Sequence, residues 1–249
     1  MYLHPTSLRF VEDGVLSLPP NPHISIDGKY IENVKDFHIE ERTIVVNPEE
    51  TDAYLNATNP SIIPAFSSTI LEDATIEKAK SLLLLQVVES KNIGNIVFES
   101  GWDLLGNFPG SDFPKNVQLW KSPQDEAGII EVDPYFMARQ SSKSGQKEKF
   151  SVKVNLWFAP SQTDCAIHNQ HEFLEIHTQI VGQGRMQKFK VKSFDSLYED
   201  LVMTEGYTQI VPFCTVRENQ QYTYPWHQYY SDTDCIWMAI EYHPKKNPN

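Results

Sequence analysis

From Phe150 onward the chain is a series of short segments in which apolar and polar side chains alternate. Segment 151–158 sets Val152, Val154 and Leu156 on one row, and further segments follow at 164–170, 173–181, 185–191, 197–204, 208–213 and 235–242. Turn formers such as Gly182-Gln183-Gly184 and Glu205-Gly206 separate them. Strands of this length and spacing predict an all-β sandwich or barrel. In segment 173–181, Phe173, Glu175, His177, Gln179 and Val181 fall on one row and Leu174, Ile176, Thr178 and Ile180 on the other. If the apolar row packs on protein, the Glu-His-Gln row lines something polar and enclosed. The inside of a small β-barrel satisfies both rows.

The first part of the chain is less regular. Residues 1–35 are rich in proline and glycine and predict an arm with short extended pieces. Residues 37–46 predict a strand ending at Asn47-Pro48. Over 72–89, Ile76, Ala79, Leu83 and Val87 recur at helical spacing behind a possible cap at Asp73 or Thr75. That spacing predicts a helix whose 82–85 leucine run packs on a sheet. A strand is expected at 95–100 and a structured loop at 101–115, where Trp102, Phe108 and Phe113 stand among glycines and prolines. Residues 140–149 hold no apolar side chain and predict a linker or long hairpin. Two units follow: an N-terminal α+β subdomain over 1–145 and a β-barrel over 146–249.

With 249 residues, 40% hydrophobic and 12% aromatic, the chain has the composition of a globular protein with a sizeable core. A net charge of −12 opposes binding to nucleic-acid backbones or anionic membranes, which call for cationic surfaces. No apolar run approaches the roughly 20 residues of a spanning helix. The three cysteines, Cys165, Cys214 and Cys235, are odd in number and without paired spacing, which predicts reduced thiols in a cytoplasmic protein. Gly-rich phosphate loops, Gly-x-Ser-x-Gly and Cys-x-x-Cys are absent.

The candidate chemistry is concentrated at 167–182. Here lie His168, His171 and His177, three of the eight histidines, with Glu175 between the last two. Imidazole and carboxylate bind divalent iron, zinc, nickel or manganese. His171 and Glu175 are four residues apart, so a bend near 172–174 is needed to turn both inward. His227, far along the chain, can complete a facial set of two imidazoles and one carboxylate, the type found in non-haem Fe(II) oxygenases. Gln179, Arg185, Gln209 and Arg217 are candidates to orient an anionic ligand. Tyr222, Tyr224, Trp226, Tyr229 and Tyr230 flank His227, as edge packing or as an aromatic pocket mouth. The four histidines at 4, 23, 38 and 243 are expected to be ordinary core or surface residues.

These residues resemble the cupin superfamily over roughly 150–242. Glu175, six residues and Gly182 match the end of the first cupin motif. Counting back gives His168 with Gln170 in one register and Asn169 with His171 in the other, so neither supplies both expected histidines. Tyr224-Pro225-Trp226-His227, followed by the 235–242 strand, resembles the close of the second motif, without its glycine. The His-x3-Glu spacing is similar to that of phosphonate-oxidising cupins. The resemblance implies a cupin-type jelly-roll barrel in the C-terminal half, with the N-terminal part a degenerate second cupin if not an α+β cap. It implies His171, Glu175 and His227 as metal ligands, with His168 the leading substitute and His177 next. The expected function is an Fe(II)-dependent oxygenase or oxidase acting with dioxygen on a small polar, anionic metabolite. His168 and His177 would transfer protons and Arg185 would hold the substrate. An isomerase or epimerase on a sugar or keto acid, with a metal such as zinc, nickel or manganese used only as Lewis acid or with none, and a non-catalytic ligand-binding cupin are the alternatives. A homodimer is compatible with all three.

Overall fold

The four leucines at 82–85, expected in a helix, lie in the middle of a strand. The computed structural model describes residues 26–57, 59, 61–88, 91–140, 145–209, 214–217 and 221–245. Strands β1 (Ile26–Ile39), β2 (Thr43–Asn47), β3 (Ala53–Asn56), β4 (Ser61–Ile63), β5 (Ser67–Leu71) and β6 (Ala74–Val87) form the N-terminal sheet. β6 is its axis, paired along one edge with β1 and along the other with β2 and β3. Leu83 and Leu85 face one core while Leu82 and Leu84 face another, so the whole run is buried without a helix.

The helical look of this segment has a local cause. The ladder between β1 and β6 omits the pairs at 33/80 and 36/77, and Asn33 and Asp36 take left-handed φ values of 51° and 48°. These interruptions turn the strand, so the residues facing the second core are Ile76, Ala79, Leu82 and Leu84, and the first three lie three apart. Interrupted pairing in a strand thus imitates the 3.6-residue period. The helix expected over 72–89 is therefore a strand, and the N-terminal sheet spans Ile26 to Val87. The strand expected at 95–100 is also corrected: Ile93–Phe98 is a 3₁₀ helix. The proline-rich arm lies outside the described residues up to 25, and from Ile26 it is the long β1.

The remaining strands are β7 (Asp103–Leu104), β8 (Trp120–Lys121), β9 (Asp125–Val132), β10 (Glu148–Ala159), β11 (Thr163–Asp164), β12 (Leu174–Val181), β13 (Gly184–Phe189), β14 (Leu197–Met203), β15 (Thr215–Val216), β16 (Tyr222–Thr223), β17 (Trp226–Ser231) and β18 (Cys235–Pro244). One helical turn, α1 (Pro134–Met137), follows β9, its Asp133 side chain accepting from the Tyr135 and Phe136 amides. A central sheet runs β12-β18-β10-β8-β7, with β9 also on β10, and an outer sheet runs β11-β17-β13-β14. The fold is mainly β, and in its C-terminal half the central and outer sheets face each other in the barrel-like arrangement expected from the alternation. The boundary expected at 145–146 falls between β9 and β10, which pair, so the central sheet draws strands from both sides of it. Within the expected 140–149 linker, residues 141–144 lie outside the described residues and Glu148 already begins β10.

β18 organises the layers. Its Ile236, Met238, Ile240 and Tyr242 pack toward the N-terminal sheet in a core that runs from Ile26 to Tyr242. Its Cys235 and Trp237 face the outer sheet, where they meet Met186, Met203 and Tyr229. Gly182 links β12 to β13 at φ 76°, and a Cβ there would lie 2.1 Å from the Asp234 carbonyl oxygen, so this turn requires glycine. Leu83 is fully buried where β6 is paired on both edges. Leu83→Ala is expected to lower unfolding free energy by about 2–5 kcal/mol in urea denaturation. A loss under about 1 kcal/mol would mean that β6 is not the shared wall of the two cores.

Candidate functional site

Between the central and outer sheets is a cavity of about 580 Å³. Its floor is the odd-numbered row of the central sheet. Glu175 and His177 come from β12 and Phe173 from the bend just before it, Ala239, Glu241 and His243 from β18, with Trp157 on β10 and Lys121 on β8 beyond. The row expected from alternation in 173–181 is therefore the one that lines the cavity, up to His177. Ala239 lies directly between His177 and Asn155 in the ladder, and its small side chain leaves room there.

The opposite wall brings the histidines together. His168 and His227 form an isolated antiparallel bridge, each amide donating to the other's carbonyl at 2.9 Å. The Nδ1 of His168 lies 3.0 Å from the Ala166 carbonyl and that of His227 lies 2.9 Å from the Pro225 carbonyl. A carbonyl only accepts, so each Nδ1 carries the proton and each Nε2 keeps its lone pair. His171 lies in the bend before β12, which Tyr224 pins by donating its hydroxyl to the Phe173 carbonyl at 2.8 Å. The bend turns His171 toward its fellow histidines. Its Nε2 is 3.2 Å from that of His227 and 3.6 Å from Glu175 Oε1. Ligand atoms of His168, His171 and His227 all lie within 4.8 Å of one another, a group that could hold a metal ion. The two sequence registers that seemed exclusive thus converge, because the bend lets His168 and His171 face one point.

Burial governs the charges. It pushes the His171 and His177 imidazoles down to about 3, and it lowers His168 and His227 as well, so all four rings are neutral at pH 7. Burial, and then the charge of Glu241, hold the Glu175 carboxyl well above its usual range. Glu175 Oε1 and His177 Nδ1 are buried with no hydrogen-bond partner in the protein. His177 sits behind Glu175, its Nε2 4.0 Å from Oε2 and its ring tilted at 47° against that of Tyr229.

Glu241, directly opposite Glu175 on the neighbouring strand, is set differently. Burial alone would raise its carboxyl, but hydrogen bonds from His243 and Asn155, together with the charge of Lys121, outweigh it and hold Glu241 below the usual range. Gln124 and His243 contact its Oε2 at 2.7 and 2.8 Å, and Asn155 donates to Oε1 at 2.9 Å. His243, expected to be ordinary, thus belongs to the cavity. A signal for Glu241 existed: it is the one acidic residue in the otherwise apolar 235–242 segment, on the same row as Trp237. Lys121 had none, being next to a tryptophan in a stretch without periodicity.

Arg185 is not in the cavity. It alternates outward on β13, between the inward Gly184 and Met186, and its guanidinium is held by Asp232 at 2.9 Å and Asp200 at 2.7 Å. Gln179 donates to the Val181 carbonyl, Gln209 accepts from the Tyr229 hydroxyl, and Arg217 is exposed, so none of this set points at the histidines. The three cysteines are free, as their spacing implied.

Fold and site together define a β-barrel with a histidine-lined, partly ionic cavity. No family model and no curated protein matches the chain. Among solved structures, the chain is similar to an 11S globulin from Wrightia tinctoria at 10% identity and a TM-score of 0.30, covering 90% of this chain and 76% of that one. It is similar to a cupin 2 conserved barrel domain protein from Leptotrichia buccalis at 8% identity and a TM-score of 0.28, covering 87% and 82%. A mutant of Bacillus subtilis oxalate decarboxylase matches at 9% identity and a TM-score of 0.29, covering 87% and 67%. The β architecture of this chain follows from its own strand pairing. Among the described residues no helix is long and apolar enough to cross a membrane.

Proposed function

We propose that this chain is a non-haem, Fe(II)-dependent oxygenase or oxidase acting on a small polar, anionic molecule in the barrel cavity. The convergence of His168, His171 and His227 beside the buried carboxylate of Glu175 carries this reading. The residues fit a divalent cation. Two imidazoles present lone pairs fixed by backbone carbonyls. A buried carboxylate oxygen lacks any partner in the protein, a need that a cation would meet. His171, Glu175 and His227 are the proposed ligands, and His168 stands close enough to join them as a fourth. Imidazole and carboxylate suit iron, with zinc, nickel and manganese as competitors. Bound iron would supply a coordination site at which dioxygen and substrate meet.

The chain's own groups do the rest. Glu175 offsets the cation's charge. His177, whose Nε2 lies 4.0 Å from Oε2, is the proposed proton-transfer group and would act through one bridging water. Phe173, Trp226 and Tyr229 line the cavity and limit water. After anaerobic reconstitution with Fe(II), about one iron per chain is expected by elemental analysis. His171→Ala and Glu175→Ala are expected to lower that content, and a panel of small acids to provoke dioxygen uptake in the wild type only. Turnover that continues without dioxygen would replace the oxygenase with an isomerase using the metal as Lewis acid. A chain that takes up no iron would end the metal reading.

A further inference from the structure

The cavity has a second polar pole, away from the histidines. Lys121 stands on β8, three strand positions from β12 across the central sheet, which is about 14 Å of backbone. Its Nζ lies 5.2 Å from the ring centroid of Trp157 and 5.9 Å from that of Phe108. Among the described residues it forms no ion pair. Glu241, whose charge it feels, is already contacted by Gln124, His243 and Asn155. The indole Nε1 of Trp157, on the ring beside Lys121, is also buried without an acceptor. Lys121 is therefore a cation in the cavity lining without an ion-pair partner among the described residues, and the Trp157 indole under it carries a donor with no acceptor in the protein.

We propose that Lys121 and Trp157 form a subsite for the carboxylate of a monoanionic ligand, whose other end is presented to the histidine cluster. This deepens the proposed function and rests on it for the ligand's single charge and for the second half of the statement, whereas the contact with Lys121 does not depend on it. The charge count favours a single negative charge. Two lysines, Lys121 and Lys192, and a divalent ion oppose three carboxylates, Asp112, Glu175 and Glu241, leaving one positive charge in the cavity. A dianionic phosphate or phosphonate would be in excess and would meet no arginine fork, since Arg185 is spent on Asp200 and Asp232. The ligand class that follows is small carboxylic acids with a polar group at the far end.

The test is direct binding, by calorimetry, of a C2 to C6 series of ω-hydroxy acids and their neutral amides. It uses the full chain, with zinc loaded and after chelation. Lys121→Met should weaken the best acid by about 10- to 100-fold while leaving its amide and the bound zinc unchanged. Lys121→Arg should restore part of the loss. Acid binding within twofold in Lys121→Met, equal weakening of acid and amide, or no acid binding to the wild type would each overturn the subsite. Failure of the metal reading looks different. Zinc would then not bind, yet the acid would still discriminate wild type from Lys121→Met in the chelated protein.

Discussion

His227→Ala is expected to abolish tight metal binding, lowering affinity by more than about 100-fold, the upper range for loss of even an outer-shell partner. His227 is fully buried, and its ring is held at Nδ1 by the Pro225 carbonyl while its backbone is locked to His168 on both sides. His168 beside it is held at its own Nδ1 and backbone, so it keeps its place and does not move into the position His227 vacates. The His227 ring's Nε2 also lies 3.2 Å from His171 Nε2, so its removal leaves His171 without that partner across the site. Competition with a chromogenic chelator reads the affinity, and near-ultraviolet circular dichroism reads the fold. Because the His168–His227 bridge is made by backbone, it survives in the alanine variant. The fold is therefore expected to persist while the metal is lost. Retention of metal with wild-type affinity would show that His168, His171 and Glu175 suffice, and would remove His227 from the ligand set.

Much of this site was legible in the residues because strands write their faces with a period of two. The polar row Glu175, His177 and the apolar row Leu174, Ile176, Ile180 are where alternation puts them, one toward the cavity and one in the core. The cluster of histidines at 168–177 and the distant His227 were also legible, since imidazole and carboxylate are scarce inside β proteins without a reason. The bend at 171–173 was implied by the spacing of His171 and Glu175. What pins it, the Tyr224 hydroxyl on the Phe173 carbonyl, is a contact across fifty residues of chain that no local pattern announces.

The failures have physical causes of the same kind. β6 was misread because two interrupted pairs shifted its inward positions to a spacing of three. Arg185 looked like an anion binder by residue type, but its parity on β13 sends it outward to Asp232 and Asp200. The strand β17, which carries His227, was missed because aromatic residues crowd both of its faces and hide the alternation. Lys121 and Glu241 acquire their meaning only from the register of β8, β10 and β18, which is a long-range property. Local pattern determines which way a side chain points; pairing determines what it points at.

Glu175→Gln is expected to make the metal-free protein more stable at neutral pH and, in the same variant, to weaken metal binding. Burial first, and the facing Glu241 second, raise the folded-state Glu175 carboxyl well above its ordinary 4.5. Below pH 4.5 both the folded and unfolded chains hold that proton and no penalty arises. As pH climbs above 4.5 the unfolded chain ionises first, so the stability that Glu175 contributed at low pH is lost toward its folded-state value. The histidines act in the opposite sense. His171 and His177, pushed down to about 3 from 6.5, support the fold above pH 6.5 and withdraw that support as pH falls toward 3. The metal-free wild type is therefore squeezed from both sides. Glutamine removes the upper limit, since it has no proton to lose, and is expected to add about 1–3 kcal/mol at pH 7–8, the usual size of an unmet polar desolvation. Added zinc should reverse the order: wild type gains stability with rising pH as the carboxylate becomes available, and Glu175→Gln gains little. Thermal unfolding across the pH range, with chelator and with zinc, measures both halves. A metal-free glutamine variant that is less stable than wild type at neutral pH would mean that Glu175 is held by the fold for packing. The crossing of the two stability curves on adding zinc is the signature of a carboxylate kept buried for a cation.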